Sequence, residues 1–251
     1  MDQRPVGVMD SGLGGVSVLR TLVKELPQER FIYLGDTRNA PYGDKPEGEI
    51  RRLALLCAHR LLDRDIKALV VACNTATSAA AEALRRALPI PVIGMEPALK
   101  PAALAGRPGR VLVMATTATL RQKKFKALMA RYGQQAILLP CPGLMEFAER
   151  GELDSPALDE YLCRRLAPLA GQQVGAAVLG CTHYVFLKEA IAKALPGAAL
   201  FDGNLGTARQ LRRVLERGDQ LSPGPGGVRF MSTDPQGVQA MERMFALPGG
   251  V

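Results

Sequence analysis

The sequence predicts an α/β protein whose mostly parallel sheets carry helices on both faces. Short Val/Ile/Leu runs alternate with longer amphipathic stretches from end to end. The runs are apolar throughout rather than alternating, as strands buried on both faces are. With 251 residues, 47% of them hydrophobic and 22% charged, the chain is neither disordered nor fibrous. That length suits one large domain or two of about 100–150 residues.

In chain order the expected strands are 6–9, 31–34, 68–71, 92–93, 111–114, 136–139, 176–179, 199–201 and 228–231. Helical periods fall between them, over Val16 to Leu26, Glu47 to Leu62, Ala76 to Leu88 and Tyr184 to Leu195. Two seams interrupt the series, at Gly94-Met95-Glu96-Pro97 and near Asp202-Gly203-Asn204. They predict a discontinuous first domain, 1–95 plus 206–251, and a second over 96–205. The tail after Leu247, Pro-Gly-Gly-Val, is expected to fray.

A weak internal repeat supports two similar domains. Leu69-Val70-Val71-Ala72-Cys73-Asn74-Thr75 and Ala177-Val178-Leu179-Gly180-Cys181-Thr182-His183 each run from an apolar strand through a small residue to a cysteine. A polar residue follows, then Thr or His at a helix start. In open parallel sheets, ligands collect at the carboxyl ends of strands. Two such domains place the thiols on opposite walls of a shared cleft.

Charge narrows the function less. Lys+Arg 32 against Asp+Glu 24 gives a net +8, concentrated on stretches such as 121–126 and 209–217. Solvated helix faces account for most of it. Nucleic-acid binding is the functional rival, but no recognition motif is present and no specific nucleic acid is expected. Attraction of a small acidic substrate is a third reading. No run of about 18 apolar residues exists, so no membrane span is expected. The start lacks a signal-peptide profile, which points to a cytoplasmic protein with reduced thiols.

Five cysteines without a C-x-x-C pair argue against disulfides and structural zinc. Cys57, Cys141 and Cys163 read as packing residues, the usual fate of a free cysteine. Cys73 and Cys181 instead stand where strand becomes helix, a position that lowers a thiol pKa, and an imidazolium lowers it further. Equivalent positions suggest a pair of acid–base groups facing one carbon, one removing its proton and the other reprotonating the opposite face. Helix N-terminal amides with Ser11, Asn74, Thr75 and Thr182 suit the substrate carboxylate. Asp10 suits its ammonium or assists the nearer thiol.

Asp10-Ser11-Gly12-Leu13-Gly14-Gly15 after the first strand raises a dinucleotide reading, with Asp36 at the distance of a ribose-binding acid. Ser17 stands where that fingerprint needs glycine, and Asp10 brings negative charge close to a pyrophosphate. Of the two histidines, His59 reads as structural or surface and His183 as the acid–base candidate. No metal-ligand cluster and no lysine motif for pyridoxal phosphate appears, so no cofactor is expected.

These motifs, together with Tyr33-Leu34-Gly35-Asp36, Pro41-Tyr42-Gly43, Ala72-Cys73-Asn74-Thr75-Ala76 and Leu179-Gly180-Cys181-Thr182-His183-Tyr184, closely resemble bacterial glutamate racemases. That family lies in the cofactor-independent aspartate/glutamate racemase superfamily, and the resemblance runs along nearly the whole chain. It implies two pseudo-symmetric α/β domains with the active site in the interdomain cleft. It also implies interconversion of L- and D-glutamate, supplying D-glutamate for peptidoglycan.

By the family's assignment, Cys73 abstracts the Cα proton of D-glutamate and Cys181 that of L-glutamate. Asp10, His183 and Glu149 match auxiliary acid–base residues. Substrate contacts carry over to Asp10, Ser11, Pro41, Tyr42, Gly43, Asn74, Thr75, Thr116, Thr119, Thr182 and His183. Val185 replaces the family's proline, and Ala115-Thr116-Thr117-Ala118-Thr119 replaces a glycine-led version. No extension precedes the first strand, so activation by a cell-wall precursor is not expected. A homodimer follows by analogy. A racemase of aspartate or another amino acid stays open as an alternative, as does a non-catalytic amino-acid-binding or DNA-associated regulator.

Overall fold

The computed structural model describes residues 1–247, so the expectation for the last four residues lies outside it. Nine strands form among the described residues: β1 (Val6–Asp10), β2 (Arg30–Gly35), β3 (Ala68–Val71), β4 (Val92–Gly94), β5 (Arg110–Ala115), β6 (Ala136–Pro140), β7 (Val174–Gly180), β8 (Ala199–Phe201) and β9 (Gly227–Ser232). Each contains or overlaps an expected run. The helices between them are α1 (Val16–Glu25), α2 (Glu47–Leu62), α3 (Asn74–Ala87), α4 (Leu99–Leu104), α5 (Thr117–Arg121), α6 (Lys123–Tyr132), α7 (Leu144–Arg150), α8 (Pro156–Leu166), α9 (Lys188–Ala194), α10 (Asn204–Arg217) and α11 (Gly237–Ala246).

The strands divide into two sheets, ordered β4-β3-β1-β2-β9 and β6-β5-β7-β8, with every pairing parallel. Reversing the second gives β8-β7-β5-β6, which matches β4-β3-β1-β2 strand for strand. The internal repeat is thus a repeat of topology: each cysteine follows the third strand of its set. The central strands β1, β3 and β7 are almost wholly buried, as crossover helices on both faces require. At the outer edge of the second sheet, β6 is less covered, and Leu138 is exposed.

The C-terminal stretch returns to the first sheet. β9 pairs with β2, and α10 packs on α1. A buried ion pair fastens this return. Lys67 Nζ lies 2.7 Å from Glu29 Oε2, and both side chains are buried. The ammonium also donates to the carbonyls of Asp2 and Gln220, each at 2.7 Å, while Glu29 Oε1 accepts the Ser222 N–H at 2.7 Å. One cation therefore joins the N-terminal segment, the start of β3 and the approach to β9.

Two local expectations need correction. The period over Tyr184 to Leu195 splits into a 3-10 turn, Thr182–Val185, and the short helix α9. Hydrogen bonds of i→i+3 type close the turn, and the Tyr184 hydroxyl donates to the Cys141 carbonyl at 3.0 Å. Burial of Tyr184 in that contact holds the tighter winding, which side-chain periodicity does not reveal. Cys163 is exposed, not packed. α8 buries Leu158 and Leu162, and the next residue is turned about 100° away at 3.6 residues per turn.

Candidate active site

The carboxyl ends of both sheets meet at one narrow cleft. It is lined by Ser11, Pro41, Tyr42, Gly43, Cys73, Asn74, Thr75, Thr116, Met145, Gly180, Cys181, Thr182 and His183. Its free volume is ≈ 20 Å³, about that of one water. A larger groove of ≈ 730 Å³ between β4, α4 and α10 contains neither thiol nor imidazole, so volume does not mark the chemistry. Among the described residues no cluster of His, Cys, Asp and Glu could hold a metal ion, and no helix is long and apolar enough to cross a membrane.

On the first wall, Cys73 caps α3. Its thiol donates to Ser11 Oγ at 3.4 Å and its sulfur accepts the Ala76 N–H at 3.4 Å. Burial and the neighbouring Asp10 push this thiol up to about 12, against the pull of the Ser11 and Ala76 contacts. That reverses the sequence expectation of a depressed pKa. A helix N-terminus favours a thiolate, but desolvation and a carboxylate beside it weigh more. Cys73 therefore stands as a neutral thiol, a proton donor.

The second wall carries Cys181 in a different setting. Its Sγ lies 3.7 Å from His183 Nδ1, and His183 Nε2 lies 3.0 Å from Glu149 Oε1 on α7. Burial opposes charge on the ring, yet the Cys181 and Glu149 contacts outweigh it and raise His183 to about 10. An imidazolium donates from both nitrogens, so one ring bridges the thiol and the carboxylate.

Asp10 ends β1 between the two walls. Its Oδ1 accepts the Gly12 N–H at 2.9 Å and its Oδ2 the Thr182 hydroxyl at 3.4 Å. Complete burial lifts its carboxyl above its ordinary value, countered by His183, the Gly12 and Gly15 N–H groups and Thr182. The glycine-rich turn after it serves close approach, not a pyrophosphate. A Cβ on Gly14 would collide with the His183 ring and the Thr182 hydroxyl. Gly14→Ala is accordingly expected to displace His183 and lower kcat/KM by about 10²-fold, the cost of roughly 1 Å of misplacement. Steady-state kinetics with a thermal melt would check this, and wild-type kcat/KM would refute it.

The remaining polar side chains assemble around this core. The hydroxyls of Thr75, Thr116 and Thr119 form a triangle with edges of 3.1, 3.1 and 3.0 Å across the two sheets' loops. Thr117 lines a separate groove, so of the three threonines Thr116 and Thr119 turn toward Thr75. Tyr42 is held by its hydroxyl on Asp36 Oδ2 at 2.7 Å, and Asp36 also accepts from Asn39 and Thr233. Asp36, weighed in the sequence as a ribose ligand, therefore supports the Pro41-Tyr42-Gly43 loop from behind. Asn74 is buried and its Oδ1 has no hydrogen bond among the described residues. Met145, four residues before Glu149 and on the same face of α7, also lines the cleft and is not among the residues the sequence singles out. An apolar residue carries no chemical signal in sequence.

Two matched parallel sheets that each deliver a strand-end thiol to one cleft, beside a buried carboxylate, an imidazole and hydroxyl donors, define an α/β isomerase of the racemase class. The chain belongs to the Asp/Glu/Hydantoin racemase family, whose profile matches residues 6–211. It is 47% identical over 234 residues to the glutamate racemase of Clostridium acetobutylicum, 91% of each chain. The structure is similar to that of Thermus thermophilus glutamate racemase in complex with β-chloro-D-alanine, with a TM-score of 0.85 and 39% identity over 98% of this chain and 95% of that one. Francisella tularensis glutamate racemase in complex with D-glutamate gives a TM-score of 0.84 and 29% identity over 98% and 95%.

Proposed function

We propose that the protein is a cofactor-independent glutamate racemase using Cys73 and Cys181 as opposed acid–base groups. The observation that carries this reading is one thiol from each sheet in a single cleft. In the D-to-L direction the resting Cys73 thiol first passes its proton to Asp10, then takes the Cα proton as thiolate, and the Cys181 thiol gives a proton to the opposite face. In the L-to-D direction the roles exchange. Asp10 assists at Cys73, and His183, held by Glu149, assists at Cys181.

Hydroxyls and amides of Ser11, Asn74, Thr75, Thr116, Thr119 and Thr182 hold the two carboxylates, with the 41–43 loop closing over them. The relatives' glutamate racemase names, and D-glutamate in the Francisella complex, support glutamate as substrate. The product would feed peptidoglycan synthesis in the cytoplasm. Residues 1–95 with 206–251, and 96–205, would be the two domains, and the functional unit a homodimer.

Circular dichroism of L-glutamate incubated with the enzyme, without added pyridoxal phosphate, is expected to decay to zero while L-aspartate stays optically active. Faster loss of the aspartate signal would move the assignment to an aspartate racemase. No loss with either would overturn it.

A further inference from the structure

We propose that Ser17 is a positioning residue for the Cys181 half of the reaction, acting across the two sheets. Ser17 is the second residue of α1 and is fully buried. Its own N–H is satisfied by the Gly14 carbonyl at 3.0 Å, so the hydroxyl is not needed at its own helix end. It donates instead to the Thr182 carbonyl at 3.0 Å, a residue 165 positions away in the second sheet's cysteine turn.

Thr182 is thus held twice by the β1–α1 segment: its carbonyl by Ser17 and its hydroxyl by Asp10. Gly14 packs its bare backbone against the same turn, where a side chain has no room. Cys181 and His183 flank Thr182. Fixing that peptide therefore sets the 3.7 Å approach of His183 Nδ1 to Cys181 Sγ and the alignment of the ring on Glu149. Ser17 does not line the cleft and touches none of the contacts at Cys73. Its direct contact is with the Cys181 turn alone.

That asymmetry supplies the test, which rests on the racemase reading above. Ser17→Ala removes the donor with little change in volume, and kcat/KM is expected to fall about 10- to 100-fold, as misplacement of a reacting group does. The fall is equal in both directions, because enantiomers are equal in energy. The substrate deuterium isotope effect will not be equal. With proton transfer at Cys181 slowed, the effect rises for L-[2-²H]-glutamate and shrinks for D-[2-²H]-glutamate, while a general loss of packing leaves their ratio unchanged.

Ser17→Thr keeps a hydroxyl and is expected to restore most of the rate and the wild-type ratio. Should the alanine variant not fold, Ser17→Gly, which also lacks the donor and lies in the first turn of α1, carries the same measurement. Wild-type kinetics in a folded donor-less variant, or a loss with an unchanged ratio, overturns the proposal. If the wild-type enzyme does not racemise glutamate, the functional reading fails instead.

Discussion

Cys73→Ala and Cys181→Ala are each expected to abolish measurable racemisation while the protein stays folded. Positioned general acid–base groups contribute about 10²–10⁴-fold apiece, and here a thiol is the sole proton carrier proposed on its face of the substrate. The structural cost at Cys73 is small. It removes one 3.4 Å N-cap contact from Ala76, worth about 0.5–2 kcal/mol in the general case and less for a sulfur acceptor. Each variant keeps one thiol and therefore one half of the exchange. In D₂O, Cys73→Ala should incorporate deuterium at Cα of L-glutamate only, and Cys181→Ala at Cα of D-glutamate only. Neither should form the opposite enantiomer. Turnover near the wild-type rate in either variant would end the two-base mechanism.

The largest effect on stability is expected from Lys67→Met. The substitution leaves Glu29 charged and buried, and removes the donor shared by the Asp2 and Gln220 carbonyls. Breaking a buried pair from one side costs about 3–5 kcal/mol. For a chain of this size that is roughly 6–20 °C in the unfolding midpoint. Adding Glu29→Leu should recover part of the loss, because the uncompensated charge goes with it. Lys67 lies six residues before Cys73 along an extended strand, about 20 Å away at 3.3 Å per residue. Below the melting range, kcat/KM should therefore stay near wild type. A midpoint unchanged in calorimetry would show that this ion pair does not fasten the C-terminal return.

Much of the architecture is legible in the sequence. Apolar strands separated by amphipathic periods place nine strands within a residue or two, because burial on both faces leaves a signal in every residue of a strand. The matched pair of cysteine motifs anticipates the matched strand orders. What failed was local. Tyr184 to Leu195 reads as one helix, since apolar spacing is similar for a helix and for a tight turn running into one. Cys163 reads as buried, since a single position on a helix face shifts side with about 100° of rotation.

The site divides the same way. Residue identity and spacing single out Cys73, Cys181, Asp10 and His183, because strand-end thiols beside an acid and an imidazole have no ordinary packing role. The protonation of Cys73 was not legible. A helix N-terminus is visible in sequence, whereas the depth of burial and the proximity of Asp10 are created only when β1 and β3 lie side by side. Asp36 misled for the same reason: its partners Tyr42 and Thr233 come from segments that meet only in the folded chain.

The βα alternation, the repeat and the residue types available at each strand end are legible from local periodicity and composition alone. The neutral state of the Cys73 thiol, the imidazolium between Cys181 and Glu149, and the reach of Ser17 to the Cys181 turn arise only when distant segments pack together. Those outcomes depend on distances of 3–4 Å between residues up to 172 positions apart, and on the desolvation that such packing imposes.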